Sequence, residues 1–390
     1  MPKPVYIAGM GAVSASGNNV ESGFIQIKKG IDNISPLTLF DSGLKSIPLC
    51  AQVKCEIDGS IPGSFRTLSL ALIAAKEAMS VLPDRRGIQL GIITSTTVGG
   101  ISVTERFYEQ FKKNSLFQID SSILALHEPS VLSARLCKHF NGTGFHTIST
   151  ACSTGLHAIG IAKRFIENGV YDACLAVGAD ALSLLTVRGF ASLTLLDQNG
   201  CRPFDKRRAG ISLGEGAAAM LLINEKLADR CTSKMQAQVC GWGASADCFH
   251  MTAPHPDGHG AVKAIKDAIS EARIDSHDID FIITHGTATP DNDRAEVKAI
   301  QSTFSTLPHF CSMKRTLGHT LAASGILEAV YGVKSLIENV IPPTAGFEEF
   351  DEEIGAAPFK GVSSGNLKFF LKNSFGFGGN NAVVLFSKVE

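Results

Sequence analysis

VYIAGMGAVSASG (5–17) and AQVCGWGASADC (237–248) read as one pattern written twice: an apolar strand interrupted by paired glycines and closed by small polar residues. Two further pairs follow in the same order. LGIITSTTVGG (90–100) matches FIITHGTATP (281–290), and AAAMLLIN (217–224) matches NAVVLFSK (381–388). Between these, each half carries a strand-to-helix turn, STACSTGLHAIG (149–160) in the first and KRTLGHTLAASG (314–325) in the second. Duplication is the economical reading, with one lobe over 1–236 and another over 237–390. Because Gly-rich strand ends share composition anyway, chance similarity is the competing reading.

The short apolar runs, to which ACLAVGAD (173–180) belongs, have the length and continuity of strands covered on both faces. Helical three- and four-residue steps recur at 68–80, 152–168, 260–273 and 320–338. Strands alternating with helices predict an α/β protein. Its 390 residues suffice for a large core, and 36 Lys+Arg against 37 Asp+Glu leave no basic excess for nucleic acid. No stretch reaches the ~18 apolar residues of a membrane span. The opening MPKPVYIAGMG meets Gly9 and Gly11 too early for a signal-peptide core, and ten cysteines without a CxxC pair read as reduced thiols, so a cytoplasmic location is expected.

Three residues could carry chemistry. Cys152 opens a helical stretch after HTISTA, where the helix dipole and free N–H groups favour a thiolate. Most cysteines are packing residues, and here position argues otherwise. His285 in THGTATP and His319 in LGHTLAASG stand at glycine-marked ends, where α/β sheets expose functional side chains. One thiol and two imidazoles suffice for acyl transfer, and the Gly-rich FGFGGNN (375–381) has N–H groups to offer an oxyanion. Other motifs fall away. GMGAVS (9–14) lacks the full dinucleotide fingerprint, GVSSG (361–365) precedes a strand rather than a helix, and FGFGG lacks the Lys of a phosphate loop. Cys248, His250, His255 and His259 sit in a Pro-rich loop without helical ligand spacing, so zinc is a minor alternative.

TACSTG (150–155), HGTATPDND (285–293), LGHTLAASGILE (317–328) and NSFGFGGNNA (373–382) together resemble the elongating β-ketoacyl-acyl-carrier-protein synthases, and the resemblance spans the whole chain. CRPFDKRRAG (201–210), GEGAA (214–218) and DCFHMTAPHPDG (247–258) support it. It implies a thiolase-like fold, two duplicated α/β lobes in a five-layered αβαβα core, with no cofactor and no metal. It also implies an acyl carrier protein as partner, and a homodimer or a heterodimer with a chain-length-factor-like subunit. By position, Cys152 would take the acyl group, and His285 and His319 would hold the malonyl thioester carbonyl as CO₂ leaves. Lys314 would orient His319, with Glu328 and Asp293 as its charge partners. Thr287 and Thr289 would meet the pantetheine arm. Phe377 would gate the site and share an oxyanion hole with Cys152, and Val98 would floor the acyl tunnel.

The two histidines separate the elongating class from initiating synthases, which resemble this chain but carry Asn where His319 stands, and from thiolases with a second Cys. A non-elongating scaffold or chain-length subunit is the alternative, and such subunits lack the nucleophile that Cys152 supplies. Two departures, Ala209 where the family usually has Asp and Asn380 where it has Thr, bring polyketide or aryl-polyene synthesis into view beside fatty-acid synthesis.

Overall fold

The computed structural model describes residues 3–57, 65–113 and 121–389. The first half of the chain lays down β1 (Val5–Ser14), an outlying pair β2 (Ile34–Pro36) and β3 (Leu49–Ala51), then β4 (Leu90–Ser95), β5 (Gly144–Ile148), β6 (Ala173–Asp180) and β7 (Gly216–Asn224). The second half gives β8 (Ala237–Ala246), β9 (Phe281–Ile283), β10 (His309–Cys311), an outlying pair β11 (Val340–Ile341) and β12 (Ser363–Ser364), then β13 (Phe369–Gly376) and β14 (Asn380–Lys388). Helices α1 (Val20–Lys28), α2 (Arg66–Met79), α3 (Ile101–Lys113), α4 (Ser130–Phe140), α5 (Thr154–Glu167) and α6 (Leu184–Ser192) belong to the first half. The second contains α7 (His259–Ala272), α8 (Pro290–Thr303), α9 (Lys314–Leu317) and α10 (Ser324–Glu338).

Hydrogen bonding orders the main sheet β10-β9-β13-β14-β8-β1-β7-β6-β4-β5. Numbered within its own half, each set of five runs 3-2-4-5-1 outward-in, with the same parallel and antiparallel pairings. The joint between the sets is two residue pairs wide, Tyr6 with Gln238 and Ile7 with Ala237. Helices α5 and α10 touch strands of both sets and so lie between them, while α2 and α4 cover one outer face and α7 and α8 the other. This is the five-layered αβαβα arrangement of the thiolase fold.

Strand alternation explains why the runs are apolar throughout. On β7, Ala218, Met220 and Leu222 face the middle layer, and Ala217, Ala219, Leu221 and Ile223 face α2. On β14, Ala382, Val384 and Phe386 face the middle layer, and Val383 and Leu385 face the opposite outer one. Both faces are covered, so in these runs both phases of the alternation are apolar. No helix of the described residues is long and apolar enough to cross a membrane.

The two middle helices meet at their N-terminal ends. A Cβ on Gly155 would lie 2.7 Å from the Ile326 nitrogen and 3.0 Å from the Ala322 carbonyl oxygen, and one on Gly325 would press on Leu156. Both obstacles to Gly155 are backbone, which cannot yield as a side-chain tip would. Gly155→Ala should therefore cost about 1–3 kcal/mol by overpacking. Gly189 of α6 has open space around it, so Gly189→Ala should be neutral or stabilise by about 0.5–1 kcal/mol. Urea unfolding of both variants checks the pair of expectations; equal stability would refute the close approach.

Candidate active site

The chain leaves β5 and enters α5 through Ser149–Ser153, a turn in which Ala151 has a φ of 52°. Side chains hold this strained conformation. Thr154 Oγ1 accepts from the Thr150 N–H at 2.8 Å and donates to the Ala151 carbonyl, and Ser153 Oγ donates to the Thr150 carbonyl at 2.8 Å. Cys152 thus precedes the helix, which begins at Thr154, and its sulfur faces the seam between the halves. Similar left-handed residues flank the two histidines, Ala288 (φ 67°) beyond His285 and Leu321 (φ 52°) beyond His319. Strain of this kind, about 1–3 kcal/mol each, persists where surrounding structure dictates it.

His285 follows β9. Its backbone N–H and that of Gly286 both donate to the Glu296 carboxylate at 2.8 Å, one turn and a half into α8. His319 leaves α9 through Gly318, and its backbone is pinned by donation to the Ser212 carbonyl at 2.8 Å and acceptance from Gly214 at 3.0 Å. The three side chains converge. His319 Nε2 lies 3.0 Å from Cys152 Sγ, the imidazoles are 5.4 Å apart at 82°, and all three residues are nearly fully buried. The backbone N–H of Phe377 points at the same sulfur.

Electrostatics correct one expectation. Burial pushes the Cys152 thiol up to about 12, against the pull of Lys314 and of the N–H groups of Phe377 and Cys152 itself. At neutral pH Cys152 is therefore a thiol, not the thiolate that a helix start favours. Burial, with the Lys314 and Lys372 charges added, drives both histidines well below their usual range, so both imidazoles are neutral.

Lys314 lies beneath the histidines without a hydrogen bond to either among the described residues, and its ammonium pairs with Glu328. Asp293 is not its second partner. The Asp293 carboxylate instead accepts from the N–H groups of Phe204 (2.7 Å) and Ala288 (3.2 Å) and from Asn292, so it fixes the loop after His285 from the first turn of α8. Burial raises it to about 6. The partner that shares Glu328 with Lys314 is Lys372 of β13, at 2.7 Å.

Two spaces open on Cys152. A cleft lined by His285, His319, Thr287, Thr289 and Phe377 leads to the thiol from one side, with the two threonine hydroxyls 3.0 Å apart. On the other side lies a cavity of about 460 Å³ lined by Val98, Thr186, Leu193 and Leu321. Phe190 and Phe377 border both and stack on each other at 5.8 Å.

Sequence reading missed Phe190, Lys372, Glu296 and Asp180. The last is fully buried at the end of β6 and accepts from Thr96, Thr97, Val98 and Ala322, tying the turn after β4 to the approach to α10. A carboxylate at the end of an otherwise apolar strand is the signal that could have found it.

Of the alternative zinc loop, His255 and His259 come together with Asp257, whereas Cys248 and His250 do not join them. The two rings stack at 4.3 Å, His255 Nδ1 accepts the Asp257 N–H, and Asp257 pairs with Lys298. Ser363 of the GVSSG motif lies in β12, outside the main sheet.

Residues 65–228 match the family model described as Beta-ketoacyl synthase, N-terminal domain, and residues 236–348 match Beta-ketoacyl synthase, C-terminal domain. The 3-oxoacyl-[acyl-carrier-protein] synthase 2 of Vibrio cholerae is 31% identical over 413 residues, covering 99% of each chain. Among solved structures, the ishigamide ketosynthase/chain length factor superposes with a TM-score of 0.94 at 27% identity over the full length of both chains. AntDE:AntF, a type II polyketide synthase acyl-carrier protein in complex with its ketosynthase, gives 0.91 at 25%, again over both full lengths. Two family models met in chain order, on a fold shared end to end with ketosynthases, lead to one conclusion: the chain belongs to the β-ketoacyl synthase family of condensing enzymes.

Proposed function

We propose that this ketosynthase elongates carrier-protein-bound acyl chains by decarboxylative condensation with malonyl units, through an acyl-Cys152 intermediate. The observation that carries the reading is the 3.0 Å contact between Cys152 Sγ and His319 Nε2 with His285 alongside, all three buried. In the first half-reaction Sγ attacks the acyl thioester carbonyl, and the thiol proton ends on the departing pantetheine sulfur, while His319 keeps its Nε2–H as a hydrogen-bond donor throughout. The acyl chain extends into the cavity beside Val98. The malonyl thioester then enters past Thr287 and Thr289. Loss of CO₂ leaves its electron pair on the α-carbon and the thioester oxygen, where two neutral imidazoles donate hydrogen bonds. The carbanion attacks the acyl-cysteine, the resulting oxyanion meets the Cys152 and Phe377 N–H groups, and Cys152 departs as thiolate to be re-protonated.

The partners follow from the same reading: an acyl- or malonyl-loaded acyl carrier protein, and a second subunit of the same fold. Likeness to a ketosynthase/chain length factor pair supports a homologous partner, in which this chain, having Cys152, would be the active member; a homodimer is the other arrangement. The division into lobes at 236/237 is proposed on the repeated strand order. The carrier system served is of type II, making fatty-acid, polyketide or aryl-polyene chains.

Cys152→Ala should abolish self-acylation and condensation yet retain malonyl decarboxylation, because both imidazoles survive and Ala fills the thiol's small volume. Intact-mass analysis with acyl carriers reads the first, and CO₂ release the second; near wild-type condensation by this variant would refute the nucleophile.

His285→Ala and His319→Ala should each lower decarboxylation about 10²–10³-fold, the usual cost of one lost oxyanion donor. Since burial holds both histidines well below 6.5, the wild-type acid limb should also lie below pH 6.5, where protonation finally removes a neutral imidazole. A limb at or above 6.5 would contradict neutral, desolvated histidines.

Val98→Phe should fill the cavity beside Cys152 and so cut acylation by long chains while sparing short ones. Comparing Cys152 acylation by short and long acyl carriers, with a melting temperature alongside, decides this. A uniform loss with lowered melting would make Val98 ordinary core.

A further inference from the structure

Lys372 stands in β13, a strand covered on both faces, and its side chain is wholly inaccessible to solvent. A lysine survives such burial only when its charge is matched and its three N–H donors are satisfied. Three oxygens surround the ammonium: the Thr284 carbonyl at 3.0 Å, the Asn373 carbonyl, and Glu328 Oε2 in an ion pair at 2.7 Å. One of these belongs to the segment that carries His285, and another is linked to the segment that carries His319. Thr284 is the chain neighbour of His285. Glu328 is ion-paired to Lys314, which opens α9, the short helix that delivers the chain to Gly318 and His319.

We infer that Lys372 is a positioning residue for the condensing reaction, its ammonium clamping the backbone that presents His285 and, through Glu328 and Lys314, the turn that presents His319. This rests on the function proposed above and adds to it a group that no substrate touches. A plain packing role would need only volume, which an unbranched apolar side chain supplies; three converging oxygens are needed only for a cation.

The charges around this ammonium come from every neighbouring element. Cys311 lies on β10, Glu296 on α8, Lys314 on α9 and Glu328 on α10, with His285 and His319 on the loops above. Glu296 also accepts from the Asn373 side chain, so it braces the same strand end from the other side. Two ammonium groups thus share the Glu328 carboxylate beneath a pair of imidazoles. Their positive potential opposes protonation of the histidines and favours negative charge on the oxygen those histidines hold.

The test uses the full-length protein with two variants, Lys372→Met and Lys372→Ala. In Lys372→Met, malonyl decarboxylation should fall about 10–100-fold, the range typical for groups that orient reactive residues from behind. Its acid limb should move to higher pH, because removing a nearby cation raises the histidine pKa. Acylation of Cys152 by an acyl carrier should change little, since the α5 turn holds the cysteine independently. In Lys372→Ala the vacated oxygens should accept methylammonium, which restores decarboxylation where tetramethylammonium at equal ionic strength does not.

Wild-type decarboxylation rate and pH profile in Lys372→Met would overturn the inference. An equal fall in acylation and decarboxylation, or loss of fold in both variants without rescue by methylammonium, would reduce Lys372 to a structural residue and overturn it as well. Wild-type enzyme in the same assay separates the two levels: if it releases CO₂ from malonyl carrier, only the role of Lys372 is at stake, and if it does not, the proposed function fails and takes this inference with it.

Discussion

The close approach of α5 and α10 through Gly155 and Gly325 is the constraint on which the site depends. Cys152 and His319 lie 167 positions apart in the chain, yet hydrogen-bond at 3.0 Å because each sits just before one of these two helices. With no Cβ at the crossing, backbone meets backbone, and the residues leading into the helices are brought to the same point. The repeated strand order then accounts for the placement, since equivalent turns of two equivalent halves meet across the middle layer. Left-handed Ala151 and Leu321 mark where each turn is bent to aim its side chain inward.

Beneath this meeting point the interior is polar and densely paired. Asp180 ties the turn that bears Val98 to Ala322, Glu296 holds the backbone of His285, and Glu328 is shared by two lysines. Burying so many polar groups is costly unless each is matched, and a cluster of this kind is kept for what it does to its surroundings rather than for stability. Here it leaves two neutral imidazoles beside two ammonium groups, in a site that raises the thiol as well. Such an environment favours charge that appears on a substrate oxygen over charge on the protein's own groups at rest. That is the requirement of a reaction passing through an enolate.

Long strands were legible because their burial on both faces made them continuous apolar runs; ACLAVGAD agrees residue for residue with β6. The outermost strands were not. GFHTI of β5 mixes polar and apolar residues because it lies at a sheet edge, and HFC of β10 is too short to carry a pattern. Cys152, His285 and His319 stood out because glycine and small residues surround them at element ends. Lys372 did not, since a lysine in FFLKNSF reads as the polar phase of an alternating strand, and only the three-dimensional neighbours of its ammonium show otherwise. Asp293 shows the converse: its position near the site was legible, but sequence spacing does not say which way a carboxylate points, and this one turns to backbone N–H groups rather than to Lys314.

The most direct measurement of the central claim follows one carbon atom. Acyl carrier and malonyl carrier labelled at the free carboxyl are supplied together, and the protein, product and released gas are analysed by mass. The account predicts an acyl adduct on the Cys152 peptide, then a 3-oxoacyl carrier two carbons longer that lacks the label, with an equal amount of labelled CO₂. Product that retains the label, or elongation without any adduct on Cys152, would contradict it.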